Sequence, residues 1–91
     1  MKPQLSFDLV VACEIYRANL ANEPIWYSKL VENLKDRGDK KEVSHALDLL
    51  SDWGIIKGHY DKTEKGRAGY VYEITDGALH VIRGIHYEVP L

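Results

Sequence analysis

Apolar positions in the first quarter of the chain fall on two sides of one helix. Leu5, Leu9, Ala12, Cys13, Tyr16 and Leu20 recur at i, i+4, i+7/8, while Phe7, Val11, Ile15 and Ala18 form a second stripe. This spacing predicts a helix from about Leu5 to Leu20 that is covered twice, by a C-terminal helix or by another subunit. Pro24 closes the segment, and "IWY" at 25–27 predicts a very short strand. Ser28 reads as the N-cap of a second helix, with Leu30, Val31 and Leu34 inside and Gly38 at its C′ position. Asp39 and, three residues on, Glu42 form a D-x-x-E variant of the capping box that starts a third helix almost at once. Its apolar stripe is Val43, Ala46, Leu47, Leu50 and Trp53. Two helices of unequal length joined by a turn with one glycine are the sequence form of a helix-turn-helix.

At Gly54 the helical period stops. "IIKGHYDK" at 55–62 and "YVYEIT" at 70–75 predict two strands, the second with Tyr70, Tyr72 and Ile74 alternating with Val71, Glu73 and Thr75. "TEKGRAG" between them has two glycines and no core residue, as a hairpin loop requires. Thr75 or Asp76 caps a last helix over 76–89, stopped by Pro90. The expected fold class is α+β, mostly α: helix, short strand, helix, helix, two-stranded wing, C-terminal helix. No repeat, linker or low-complexity tract divides the chain, so residues 1–91 are read as a single domain.

A helix that feeds a hairpin through one glycine is the centre of a winged helix-turn-helix. The run "VSHALDLLSDWGIIKG…GRAGYVYEITDGALHVI" resembles winged-helix regulators of the MarR and PadR type over roughly residues 25–82. In those families a recognition helix ends in a hydrophobic–x–x–G–hydrophobic–hydrophobic pattern. A wing follows, then an aromatic–x–hydrophobic–Thr strand leading into a helix. Leu50, Gly54, Ile55, Ile56, Tyr72, Ile74, Thr75 and Gly77 occupy matching places. The resemblance implies a small prokaryotic transcriptional regulator that binds double-stranded DNA sequence-specifically. Helix 39–53 would enter the major groove and wing 62–69 would flank it. The chain departs from those families in being short and slightly acidic.

Charge sharpens this picture only locally. The net charge is −2, which argues against a protein that coats nucleic acid non-specifically. Residues 28–69 nonetheless hold nine Lys/Arg against eight Asp/Glu, and the ends hold three against six. The longest apolar runs, such as "LVVAC" at 9–13, are far short of the roughly 20 residues that span a bilayer. The start "MKPQLSFD" lacks the build of a signal peptide, and the expected compartment is the cytoplasm. One cysteine excludes an internal disulfide and a cysteine-cluster zinc site.

Opposite its apolar stripe the third helix places Lys40, Lys41, Ser44, His45, Asp48, Ser51 and Asp52. Lys40, Lys41, Ser44 and His45 carry donors for phosphates or for guanine O6 and N7. The alternative for each is an ordinary solvated helix face. Asp48 either accepts from a cytosine amino group or repels phosphate. The wing offers Lys62, Lys65 and Arg67, and an arginine at a hairpin tip suits a narrow minor groove. Lys29 and Lys35 on the second helix would meet phosphates without reading sequence. Catalysis is not expected. Cys13 lies in an apolar stripe, and histidines 45, 59, 80 and 86 include no i, i+4 pair. No cofactor and no metal are called for, and the effector ligand stays unassigned. Surplus apolar surface on helices 5–20 and 76–89 suggests a homodimer, unless the two helices simply bury each other. The rival function is a winged helix that contacts protein instead of DNA, its acidic residues facing the partner.

Overall fold

The structure, a computed structural model, describes residues 6–62 and 68–88. Its elements run α1 (Phe7–Leu20), α2 (Tyr27–Asn33), α3 (Lys40–Asp52), β1 (Ile56–Lys62), β2 (Ala68–Ile74) and α4 (Asp76–Glu88). The class is α+β and mostly helical, as the periodicity predicts. Leu5, Val89 and the loop residues 63–67 lie outside the described residues.

α1 begins at Ser6, whose hydroxyl accepts from the Leu9 amide at 3.4 Å. It ends in a Schellman closure. Glu23 N–H donates to Ala18 O at 3.0 Å and Asn22 N–H to Asn19 O at 3.1 Å, with Asn22 left-handed at φ 55°. Asn22 therefore turns the chain before Pro24 is reached. Both predicted stripes are buried through the middle of the helix, where Val11, Ala12, Cys13 and Ile15 are 0% exposed, while Phe7 and Leu9 are half-buried. The cover is largely the chain's own, because α1 packs against α3, β2 and α4. Leu20, in contrast, is 62% exposed.

Three local expectations around α2 are corrected. Trp26, not Ser28, is the N-cap, and it supplies no side-chain cap bond. The helix starts early because Leu30 N–H already bonds to Trp26 O at 3.0 Å. The predicted strand at 25–27 shrinks to a single bridge. Tyr72 N–H donates to Ile25 O at 2.9 Å and Trp26 pairs antiparallel with Val71, but Tyr27 already belongs to the helix. Gly38 is not a left-handed C′ residue, since among the described glycines only Gly54 has positive φ. Gly38 is glycine for a different reason: a Cβ there would lie 2.5 Å from the Phe7 ring.

α3 forms as its caps dictate. Asp39 Oδ1 accepts from Glu42 N–H at 2.9 Å while Glu42 Oε1 accepts from Asp39 N–H at 3.4 Å. Val43, Ala46, Leu47 and Leu50 are buried. Trp53, predicted to complete that stripe, is the C-cap residue and is 61% exposed. The helix closes by a second Schellman pair. Ile55 N–H donates to Leu50 O at 2.9 Å and Gly54 N–H to Ser51 O at 3.1 Å, with Gly54 at φ 74°. That is the conformation which the change of period at Gly54 predicts.

β1 and β2 pair antiparallel from Ile56↔Ile74 out to Lys62↔Ala68, so β2 starts two residues before the predicted Tyr70. Thr75 ties the base of the hairpin to the exit of α3. Its hydroxyl donates to Gly54 O at 2.7 Å and its N–H to Ile55 O at 2.9 Å. The far edge of β2 is met by Asn19 of α1, whose amide nitrogen donates to Tyr72 O at 3.4 Å and whose oxygen accepts from Ile74 N–H at 2.9 Å. Val10, Val11, Ile15, Leu30, Leu34, Val43, Leu47, Leu50, Ile56, Ile74 and Ile82 form one core shared by α1–α4 and the hairpin base.

No atom lies within 4 Å of a Cβ built on Gly54, so a side chain there meets no steric clash and only the backbone resists. Gly54→Val is expected to lower unfolding free energy by about 1–3 kcal/mol through backbone strain alone. Gly84→Ala, in α4 and with nothing near its Cβ, should instead raise it by about 0.5–1 kcal/mol. Urea titration of the two variants against wild type measures both.

Candidate nucleic-acid interface

The capping box sets where α3 begins, and its buried stripe sets which face looks outward. Lys40, Lys41, Ser44, His45 and Asp48 are all exposed on that outward side. Among the described residues, no hydrogen-bond or ion-pair partner engages the side chains of Lys40, Lys41, Ser44 or His45. Free donors concentrated on the first two turns of a helix suit contact with an anionic, acceptor-rich groove. α2 lies before this helix, and the Tyr27 hydroxyl donates to Lys40 O at 3.3 Å, holding the two helices together where α3 begins.

The other predicted contacts are placed unequally. Lys29 and Lys35 are exposed, at α2 and just after it. Lys29 also lines a cavity of about 130 Å³ between α1 and α2, with Glu14, Arg17, Glu23 and Asn33. Lys62 is the last residue of β1. Lys65 and Arg67 lie outside the described residues.

Two groups escaped the sequence reading. Glu14, on α1 between the two apolar stripes, is a buried carboxylate. Arg17 bonds to it through Nη2 and, at 3.3 Å, through Nε, and Asn33 of α2 donates to it at 3.1 Å. The i, i+3 spacing to Arg17 was the visible signal, but Asn33 is 19 positions away. The second group is a row of tyrosines on the wing. Tyr60 and Tyr70 are cross-strand partners with ring centroids 4.4 Å apart, and Tyr72 follows at 6.1 Å from Tyr70. Burial pushes the Tyr72 phenol up, with smaller contributions from Tyr70, from Asp48 of α3 and from Tyr27 of α2. Alternation of aromatics along β2 was legible, but the pairing with Tyr60 depends on the hairpin register.

Cys13 is 0% exposed, and its thiol is pushed up by burial and by the neighbouring Glu14, the reverse of an activated thiolate. Among the described residues no three His, Cys, Asp or Glu side chains group as metal ligands. No helix among them is long and apolar enough to cross a membrane.

Helix-turn-helix, two-stranded wing and a following helix, in this order, define a winged-helix domain. Solved structures bear that out. A PadR-like transcriptional regulator from Bacillus cereus superposes with a TM-score of 0.71 at 16% identity, over 89% of this chain and 78% of that one. The circadian clock associated protein Pex from Anabaena gives 0.70 at 19% identity, over 91% and 76%. Bacillus subtilis PadR in complex with operator DNA gives 0.62 at 12% identity, over 85% of this chain and 46% of its own. Identities this low establish the winged-helix fold. No protein-family model matches the chain. No curated protein matches it either.

Cys13 gives a direct check on the packing of α1. A thiol reagent such as dithionitrobenzoate should label it at pH 8 only after denaturant is added, and fast labelling of the folded protein would place α1 wrongly.

Proposed function

We propose that this chain is a sequence-specific, double-stranded-DNA-binding regulator of the PadR-like type, working as a homodimer without a cofactor. The observation that carries the reading is the row Lys40, Lys41, Ser44 and His45 on the outward face of α3, exposed and with no side-chain partner among the described residues. α3 is read as the element in the major groove. Lys41 and Ser44 would read base edges, with Lys40 and His45 beside them. Lys29 is assigned to the phosphate backbone, and Lys62, Lys65 and Arg67 of the wing to the flanking groove. The neighbour solved with operator DNA has the same fold, which supports a nucleic-acid partner over the rival protein-contact reading.

The dimer is assigned to α4. Leu79 is 38% and Val81 60% exposed, flanking the buried Ile82, and Leu20 at the end of α1 is exposed as well. Ile15 has no place in that interface, because it is fully buried inside its own chain. Leu79→Glu combined with Val81→Glu should convert a dimer to a monomer with helix content unchanged. Sedimentation equilibrium measures this, and a wild-type monomer at roughly tens of micromolar removes the dimer.

Titration of duplexes at several salt concentrations tests the function. Phosphate contacts give a steep salt slope, and Lys29→Ala should reduce it by about one unit while weakening all duplexes alike. Lys41→Ala should instead relax base preference, by about 1–3 kcal/mol if its contact is bidentate. Wild-type protein that binds no duplex at low salt would hand the fold to a protein partner.

A further inference from the structure

The two faces of the hairpin carry opposite chemistry. Side chains alternate across a strand, so the register Ile56↔Ile74, Gly58↔Tyr72, Tyr60↔Tyr70 puts these residues on one face. Ile56 and Ile74 enter the core at its base, and Tyr72 packs against that core. Outward from them the surface is aromatic, with Lys62 next on the same face by the register Lys62↔Ala68: Tyr70 is 42% and Tyr60 72% exposed. The other face carries Glu73, with Lys57 Nζ at 3.5 Å and His59 Nδ1 at 3.8 Å, so its charges are already turned on one another.

Gly58 shapes the aromatic face. A Cβ there would lie 2.5 Å from the Tyr70 ring, so Tyr70 reclines across β1 in the space that glycine leaves. Tyr60 then packs edge-on against Tyr70, at an interplanar angle of 64°. Two large rings are thus held in place at the surface by packing rather than by burial. A rigid ring with a hydroxyl at its tip loses little conformational freedom when it meets a partner.

Resting on the DNA-binding reading above, we infer that Tyr60 and Tyr70 form a second contact rail, meeting the sugar–phosphate backbone beside the groove that α3 enters. The row is tied to the start of α3 by two hydrogen bonds: Tyr72 N–H donates to Ile25 O, and Tyr27, two residues further on, donates through its hydroxyl to Lys40 O. On the opposite face Lys57 and His59 are turned on Glu73, so they are not free to meet a polyanion. Tyrosine hydroxyls donate to phosphate oxygens, and the rings cover deoxyribose. A hydroxyl neutralises no phosphate and releases no counterion, so this rail adds affinity without adding salt dependence. In that respect it differs from every lysine contact assigned above.

Fluorescence anisotropy with a labelled duplex, selected from random sequence by the wild-type protein, tests the rail. Tyr60→Phe removes only a hydroxyl and should weaken binding by roughly two- to fivefold. Tyr60→Ala and Tyr70→Ala should each weaken it by roughly three- to tenfold, and all three should keep the wild-type salt slope. Gly58→Ala, which must push the Tyr70 ring aside, should weaken binding without removing any tyrosine. Wild-type affinity in Tyr60→Phe and Tyr60→Ala, with melting temperatures unchanged, overturns the rail and leaves α3 as the DNA contact. A change of sedimenting mass in those variants would also overturn it, assigning the face to a second copy of the chain. Failure of the wild type to bind any duplex would instead strike the DNA reading itself.

Discussion

The hairpin and α4, which follow the helix-turn-helix, hang on one left-handed residue. Gly54 turns the chain out of α3 with its Schellman hydrogen bonds made, and Ile55 follows half-buried before Ile56 enters the core. Without that turn the helix would run on and the hairpin could not fold back over it. Thr75 then closes the loop in sequence, because its hydroxyl reaches the Gly54 carbonyl 21 positions earlier. The exit of α3, the start of β1, the end of β2 and the start of α4 therefore meet at one small knot of backbone hydrogen bonds. Orientation of the wing relative to α3 is set there and not at the hairpin tip.

That arrangement separates stability from contact. α3 commits Val43, Ala46, Leu47 and Leu50 to the core and leaves the side chains of Lys40, Lys41, Ser44 and His45 exposed, with no partner among the described residues. β1 and β2 make the same division along their length, apolar at the base and aromatic further out. Substitutions on the outward row should therefore alter recognition while barely touching the fold, since exposed positions away from caps and core contribute little to stability.

How much the sequence revealed depended on how local the cause was. The Asp39–Glu42 capping box and the Gly54 turn were legible, because each is decided within four or five residues. Ser28 was mistaken for a cap because the bridge from Trp26 to Val71 starts the helix earlier, a constraint set 45 positions down the chain. Gly38 had the right residue type for a C′ cap, yet its reason lies in the Phe7 ring, reached only through the tertiary fold. On the interface side, the outward row of α3 followed from helical period alone. The tyrosine row required the strand register, and the buried Glu14 required Asn33 of another helix. Neither of those leaves a mark in a short window. The double cover of α1 was read correctly as a pattern, but for Val11 and Ile15 the cover is the chain itself.

Asn19 has one more consequence. A hairpin lying alone offers two rows of unsatisfied amides and carbonyls, and such rows invite the strands of other molecules. Along β2 that invitation is withdrawn: Ile25 and Trp26 occupy part of the row, and the Asn19 amide, offering one donor and one acceptor together, imitates the next stretch of strand. Aspartate has no donor to give Tyr72 O, and serine is too short to span both groups. A helix side chain thus does the work of a third strand along this part of β2.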